Sequence, residues 1–232
     1  MVFVHRTSAV KKEISPVFAD NDWATIIEAC HANEVPETWV ADGTCYKDMD
    51  IGGTTYRIDI IGKNHDDLAD GTGKAPLTFQ MHDCYSTKYS MNDTDSGVTG
   101  WQDCDMRTVH LPSILLLLPD AVQAGIRSIK KLTGADFNGS SLLTSDEELF
   151  LLSEVEVFGS IQYSAQGEGT QYQYYQLGNT AIKNFNSVAS FWVERSPRKE
   201  GFPAFCNVNN TGTRNADISA TFDYGVPFAF CF

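Results

Sequence analysis

Basic residues are scarce in this chain: 17 Lys and Arg stand against 30 Asp and Glu, a formal net charge of −13. Phosphate backbones are held by clustered cations, so this balance excludes a nucleic-acid partner. The same charge keeps many copies soluble and apart until a specific surface meets its mate. Long apolar runs are missing as well. The longest, ILLLL at 114–118, is bounded by Pro112 and Pro119 and falls far short of the roughly 20 residues a membrane helix needs, so no membrane insertion is expected. The N-terminal MVFVHRTSAVKKEISPVF has no signal-peptide apolar core behind a basic start, which predicts synthesis in the cytoplasm. Six cysteines, Cys30, Cys45, Cys84, Cys104, Cys206 and Cys231, stand far apart. With no CxxC pair and no Cys/His cluster of zinc spacing, they read as small buried apolar groups in a reducing compartment. No internal repeat and no Pro- or Ser-rich linker divides the chain.

What is present is ordinary globular composition, 42% hydrophobic and 12% aromatic over 232 residues. A chain of that length fits one domain and buries roughly 70–75% of its extended surface without staples. Asp20 or Asn21 is placed to cap a helix whose inward stripe is Trp23, Ile26, Ile27 and Cys30, and Pro36 bars its continuation. Gly52-Gly53 separates two extended segments, a hairpin signal. The polar loop 63–74, the strand APLTFQMHDCY and a second polar loop follow. Further on, helical spacing runs from about Gln102 to His110, a proline-bounded turn spans LPSILLLLPD, a short helix covers Asp120 to Ala124, and IRSIKKL reads as a strand. Beyond Phe158 the texture becomes polar and glycine-punctuated with short strands. The fold class expected is α+β, with an N-terminal arm at 1–18 and one domain at 19–232.

Catalytic patterns are weak. His65 with Asp66, Asp67 and Asp70 is the densest set of metal-type ligands, but the alternating acids and terminal Glu of an EF-hand are missing. Asp side chains bonded to backbone amides are expected there instead. Whether calcium occupies the 63–74 or the 91–97 loop is left open, and no metal and no cofactor is assigned. No GxSxG elbow places a nucleophile, no GK[ST] ending cradles phosphate, and the five histidines occupy unrelated positions. Glu154, Glu156 and Glu168 are candidate paired carboxylates, but glycoside hydrolysis needs a fixed separation across a cleft. No catalytic residue is assigned.

The ordered landmarks WATIIEAC, TYRIDIIGKNHDD, GKAPLTFQM, MND, GWQDCDMRTVHLPSILLLLP, DEELFLLSEVEVFG, GEGTQYQYY, FWVERSP, FCNVNNTG and GVPFAFCF carry a likeness from Trp23 to Phe232. Together they resemble an uncharacterised domain family that recurs in virion proteins of bacteriophages of Gram-positive bacteria and in some of those bacteria's own surface proteins. That family is distantly similar to the C-type lectin-like fold shared with formylglycine-generating enzymes and phage receptor-binding tips. The resemblance implies a single C-type lectin-like domain: a small twisted antiparallel sheet, a few short helices and long ordered loops. Catalysis does not carry over, because those oxidases use two cysteines close together late in the chain. The lectin calcium ligands have no counterpart either.

In such a fold, side-chain hydrogen bonds order loops where ladders cannot. The resemblance therefore implies an internal network of Trp101, Arg107, Ser153, Glu168, Gln171, Trp192, Arg195 and Ser196. It favours scaffold over binding site for GEGTQYQYY, although Tyr172, Tyr174 and Tyr175 would form a stacking surface if they point outward. The C-terminal loops of this fold class usually contact ligands, which nominates Asn207, Asn209, Asn210, Arg214, Asn215, Asp217 and Tyr224, with an ordinary Asn/Gly turn as the alternative. The function expected is a non-enzymatic structural protein displayed on a phage virion, serving host attachment at the tail or decoration of the capsid. Its partners would be other virion proteins, further copies of itself, as in a trimer, and a host surface glycan or protein. A bacterial cell-surface adhesion module is the rival reading, and an enzyme acting on envelope sugars comes third.

Overall fold

The structure is a computed structural model that describes residues 13–94, 100–200 and 203–232. Of the expected N-terminal arm, residues 1–12 lie outside those segments. Residues near its end belong to the core: the Phe18 ring meets Trp39 edge-on with centroids 5.1 Å apart. Helix α1 (Trp23–His31) buries Ile26, Ala29 and Cys30. Its cap is Asp22, not Asp20 or Asn21: the Asp22 carboxylate accepts from the Thr25 amide at 2.9 Å. Asn21 is occupied otherwise, its side-chain amide donating to the carbonyls of Ser15, Val17 and Phe18.

Strands β1 (Tyr46–Ile51) and β2 (Thr54–Lys63) form the hairpin, closed by Gly52 and Gly53 at φ 59° and 85°. Both positive angles match the tight type I′ turn that suits strand twist and that glycine adopts freely. Strand β3 (Leu77–Met81) follows the 63–74 loop. Trp101–Asp103 is a 3₁₀ turn, and Met106–His110 is a π turn that runs straight into α2 (Leu111–Leu115). The expected proline-bounded turn is thus partly helical, because Pro112 sits in the first turn of α2, where its missing N–H costs nothing. Helix α3 (Asp120–Gly125) leads to β4 (Ile129–Gly134), β5 (Leu142–Glu147) and β6 (Leu149–Phe150). Then come α4 (Glu154–Phe158), α5 (Gln173–Gln176), β7 (Lys183–Phe185), β8 (Val188–Ser190), β9 (Trp192–Pro197), β10 (Phe205–Val208), β11 (Arg214–Asn215) and β12 (Ala229–Cys231).

The largest sheet has the order β1-β2-β3-β12-β6, with every pairing antiparallel. Its apolar floor is aromatic: Phe79 stacks on Phe230 at 5.3 Å and packs against Phe232 and Trp23. Three smaller antiparallel sheets, β11-β10-β9, β4-β5 and β7-β8, complete a mixed α and β fold in which strands dominate and helices are short. All six cysteines are free and buried, and burial pushes the thiols of Cys30, Cys84 and Cys104 up to about 12. Among the described residues no helix is long and apolar enough to cross a membrane.

The cap assignment is testable by urea unfolding. Asp22→Ala should lose about 1 kcal/mol of stability, the usual worth of an N-cap side chain, and Asp20→Ala much less; equal losses would contradict it.

Candidate functional site

Where the smaller sheets meet the main one, the interior is charged. Strand β4 alternates, turning Ile129, Lys131 and Thr133 inward and Lys130 and Leu132 outward. Lys131 therefore enters the core, where its Nζ donates to Asp66 Oδ1 at 2.5 Å, Glu156 Oε1 at 2.8 Å and the Tyr172 hydroxyl at 2.7 Å. Asp66 comes from the loop after β2 and also accepts from Thr78 Oγ1 at 2.5 Å and from the Tyr172 hydroxyl. Glu156 belongs to α4, where it completes a capping box with Ser153. From β9, Arg195 reaches the same carboxylate with both terminal nitrogens, at 2.5 and 3.0 Å. Its remaining donors go to Thr133 Oγ1 and to the carbonyls of Leu151, Leu132 and Glu168.

Two cations and two anions thus meet with no net charge, a condition for burying them at all. Burial alone would raise the Asp66 carboxyl, but the Lys131 ammonium and the Lys131 and Thr78 hydrogen bonds outweigh it and hold the group at about 2. Burial likewise opposes ionisation of Glu156 and is overcome by Arg195 and Lys131, so its pKa is lowered. Burial opposes the charged form of Arg195 too, yet Glu156 more than compensates and its pKa is raised.

Beside this balanced core sits a shell of acids. Glu154 accepts from the amides of Gln162, Tyr163 and Ser164 and lies 3.3 Å from Arg214 Nε. Glu168 accepts from the Gly134 amide at 2.7 Å and from the Ser196 hydroxyl. Burial pushes it up to about 7, offset only in part by Ser196 and Arg195. Glu194 is fully buried with neither carboxyl oxygen hydrogen-bonded, and burial followed by the nearby Glu154 and Glu168 drives its pKa well above the usual carboxylate range.

A cleft of about 430 Å³ opens over the network, lined by His65, Asp67, Lys74, Lys130, Leu132 and Thr170 among others, with Lys131 and Glu156 at its floor. His65 stacks on Tyr172 with centroids 4.1 Å apart. The floor is fully paired, and the rim carries both signs of charge, hydroxyls and one apolar side chain, a lining suited to a polar organic ligand. Among the described residues no cluster of His, Cys, Asp and Glu has the geometry to hold a metal ion. In the 63–74 loop Asp67 pairs with Lys74, and Asp70 with Thr72 and Arg127. Part of the 91–97 loop lies outside the described residues.

The family described as a domain of unknown function, DUF6273, matches residues 77–232, the segment that supplies Lys131, Glu156, Tyr172 and Arg195. The chain belongs to the DUF6273 family. Asp66 and His65 lie upstream of the matched segment. No curated protein and no solved structure matches the chain.

Within the DUF6273 segment, the structure brings together four of the eight residues expected to form an internal network: Ser153, Glu168, Arg195 and Ser196. Trp101 and Arg107 instead share Glu147, at 2.8 and 2.7 Å. Gln171 donates to the Val157 carbonyl and the Trp192 indole to the Ala181 carbonyl, each a bond to the backbone of a preceding segment. Lys131, Asp66 and Thr78 are network members that the sequence reading did not place there. For Lys131 the signal was present in the alternation of IKKLTG, which puts it on the face of Ile129 and Thr133.

Several residues nominated for ligand contact are interior, and for the tyrosine run this agrees with the favoured scaffold reading. Tyr172, Tyr174 and Tyr175 are all buried, and the Tyr175 hydroxyl donates to Gln80 Oε1 at 2.7 Å. The run forms no stacking surface, because each ring fills the space between α5 and the main sheet. Tyr224 is buried with its hydroxyl on the Ile218 carbonyl, and buried Asn207 accepts from Asn215. Asn209 closes a tight turn by accepting from the amides of Thr211 and Thr213. Arg214 holds Ser160 and Asp217 holds Arg198. Asn210 and Asp217 remain exposed.

Arg195→Met keeps volume and removes the charge, so it should destabilise the protein by about 3–5 kcal/mol, the usual cost of an orphaned buried ion; denaturant unfolding showing under about 1 kcal/mol would contradict that. A second expectation concerns pH. Glu168 has a folded pKa near 7 against an ordinary 4.5, so between these values the native state binds more protons than the unfolded chain. Glu168 therefore contributes a fall in stability as pH rises from about 4.5 to about 7, in the same direction as the contribution of Glu194. Glu168→Gln should flatten that fall; an unchanged slope would rule Glu168 out as its source.

Proposed function

We propose that the chain is a non-enzymatic, surface-displayed structural domain of a bacteriophage virion, built on a C-type lectin-like plan, made in the host cytoplasm and assembled with other virion proteins and with copies of itself. One observation supports this best: charged and aromatic side chains that chemistry or stacking would use are spent inside, where they fix long loops. The product is a rigid scaffold with a polar cleft and an exposed turn at 209–213. Rigid loops lower the ordering cost of each contact, and repetition of copies on a particle turns weak contacts into avidity. The cleft rim, with Lys74, Lys130, Asp67, Thr170 and Leu132, matches the mixed hydrogen-bonding and apolar character of a surface glycan, the ligand class that host attachment would demand.

The reading is tested by mass spectrometry and electron cryo-microscopy of purified particles from the phage encoding the chain. Stoichiometric presence and ordered density on the tail or the head support it. Absence of the chain from particles, with the protein found on the bacterial surface, would overturn it in favour of an adhesion module.

A further inference from the structure

We propose that Lys131 and Asp66 condense to a side-chain amide that ties the 63–74 loop covalently to β4. The two residues are 65 positions apart in the chain, yet Lys131 Nζ lies 2.5 Å from Asp66 Oδ1 and 2.8 Å from Glu156 Oε1. All three side chains are buried, at 3%, 4% and 2% exposure. The rings of Phe150 and Tyr172 lie 4.4 and 5.2 Å from the same nitrogen, so the amine is bounded by aromatic faces. Hydroxyls of Tyr172 and Thr78 donate to the two Asp66 oxygens, as donors must to stabilise charge that builds on oxygen when the carboxyl carbon is attacked. Reactants held this close need no encounter, which removes the main entropic barrier to a bimolecular condensation.

The step balances without a co-reactant. The Lys131 ammonium gives one proton to an Asp66 oxygen, and the freed amine adds its lone pair to Asp66 Cγ. Glu156, kept anionic by Arg195, takes a second amine proton and delivers it to the departing oxygen. A C–N bond forms, a C–O bond breaks and one water leaves. The first proton transfer is uphill, because the same partners hold the Asp66 carboxyl at about 2, so the condensation is a slow, single event in each folded molecule. Its driving force is electrostatic: a buried group of four charges becomes the Arg195–Glu156 pair alone, and two desolvated ions are replaced by a neutral amide. The 63–74 loop is then fixed whichever surface the chain serves.

The test is the intact mass of the full-length chain, denatured after prolonged incubation in the folded state, followed by peptide mapping. The expected result is a mass lower by one water and a branched peptide joining residues 66 and 131. Lys131→Arg keeps the cation but should abolish both signals, and Glu156→Gln should slow their appearance. Full sequence mass in the aged folded chain would overturn the proposal. So would a lost water that persists in Lys131→Arg, as from succinimide formation at Asp42-Gly43 or Asp70-Gly71. If Lys131→Arg fails to fold, the peptide map of the unaltered chain decides between these outcomes.

Discussion

The bidentate pair between Arg195 and Glu156 is the contact on which the C-terminal half of this fold depends. Arg195 lies at the centre of β9 and is completely buried, so it cannot be left without a partner in a medium of low dielectric. Glu156 meets that need and at the same time caps α4, and through its other contacts it receives Lys131 from β4. A single carboxylate thereby fixes a strand from one small sheet, a strand from another and a short helix. None of these elements is long enough to be stable by its own ladder or its own helical hydrogen bonds.

The two halves of the interior follow different physics. Around Phe79, Phe230 and Phe232 the five-stranded sheet is held by non-directional apolar burial, and small changes of shape there are absorbed by repacking. Around Arg195 the contacts are directional, and every guanidinium nitrogen has an acceptor. Such a core tolerates little movement, and the 63–74 loop and the 159–172 segment gain order from it without regular structure. A cleft with a fully paired floor and a polar rim is the direct outcome, and it suits recognition by a preformed surface.

Local features were legible in the sequence, and long-range ones only in part. The Gly52-Gly53 hairpin and α1 are written in short-range signals, turn residues and helical spacing, which need no tertiary context. The cap of α1 was misplaced by one or two positions because three consecutive residues, Asp20, Asn21 and Asp22, all have capping side chains, and Asn21 is taken up instead by the backbone of the segment just before it. The α2 turn was obscured by Pro112, which breaks a helix interior and also favours a first turn. Arg195, Ser196 and Glu168 were placed in an internal network through family resemblance, whereas Asp66 read as a loop acid bonded to backbone amides and Lys131 as part of a strand without a role, since an isolated charge in sequence gives no sign that its partner waits 65 residues away. The burial of Tyr172 and Tyr175 was hidden for a related reason: their hydroxyls are satisfied by Asp66 and Gln80, which come from remote elements.

Charge pairing holds the C-terminal half together as one unit. Hydrogen–deuterium exchange of the Glu156→Gln protein against the unaltered chain tests it most directly. Amides of the 63–74 loop, α4, the 159–172 segment and β9 should lose protection together while β2, β3 and β12 keep theirs. Loss confined to the immediate neighbours of residue 156, or spread evenly over the whole main sheet, would contradict it.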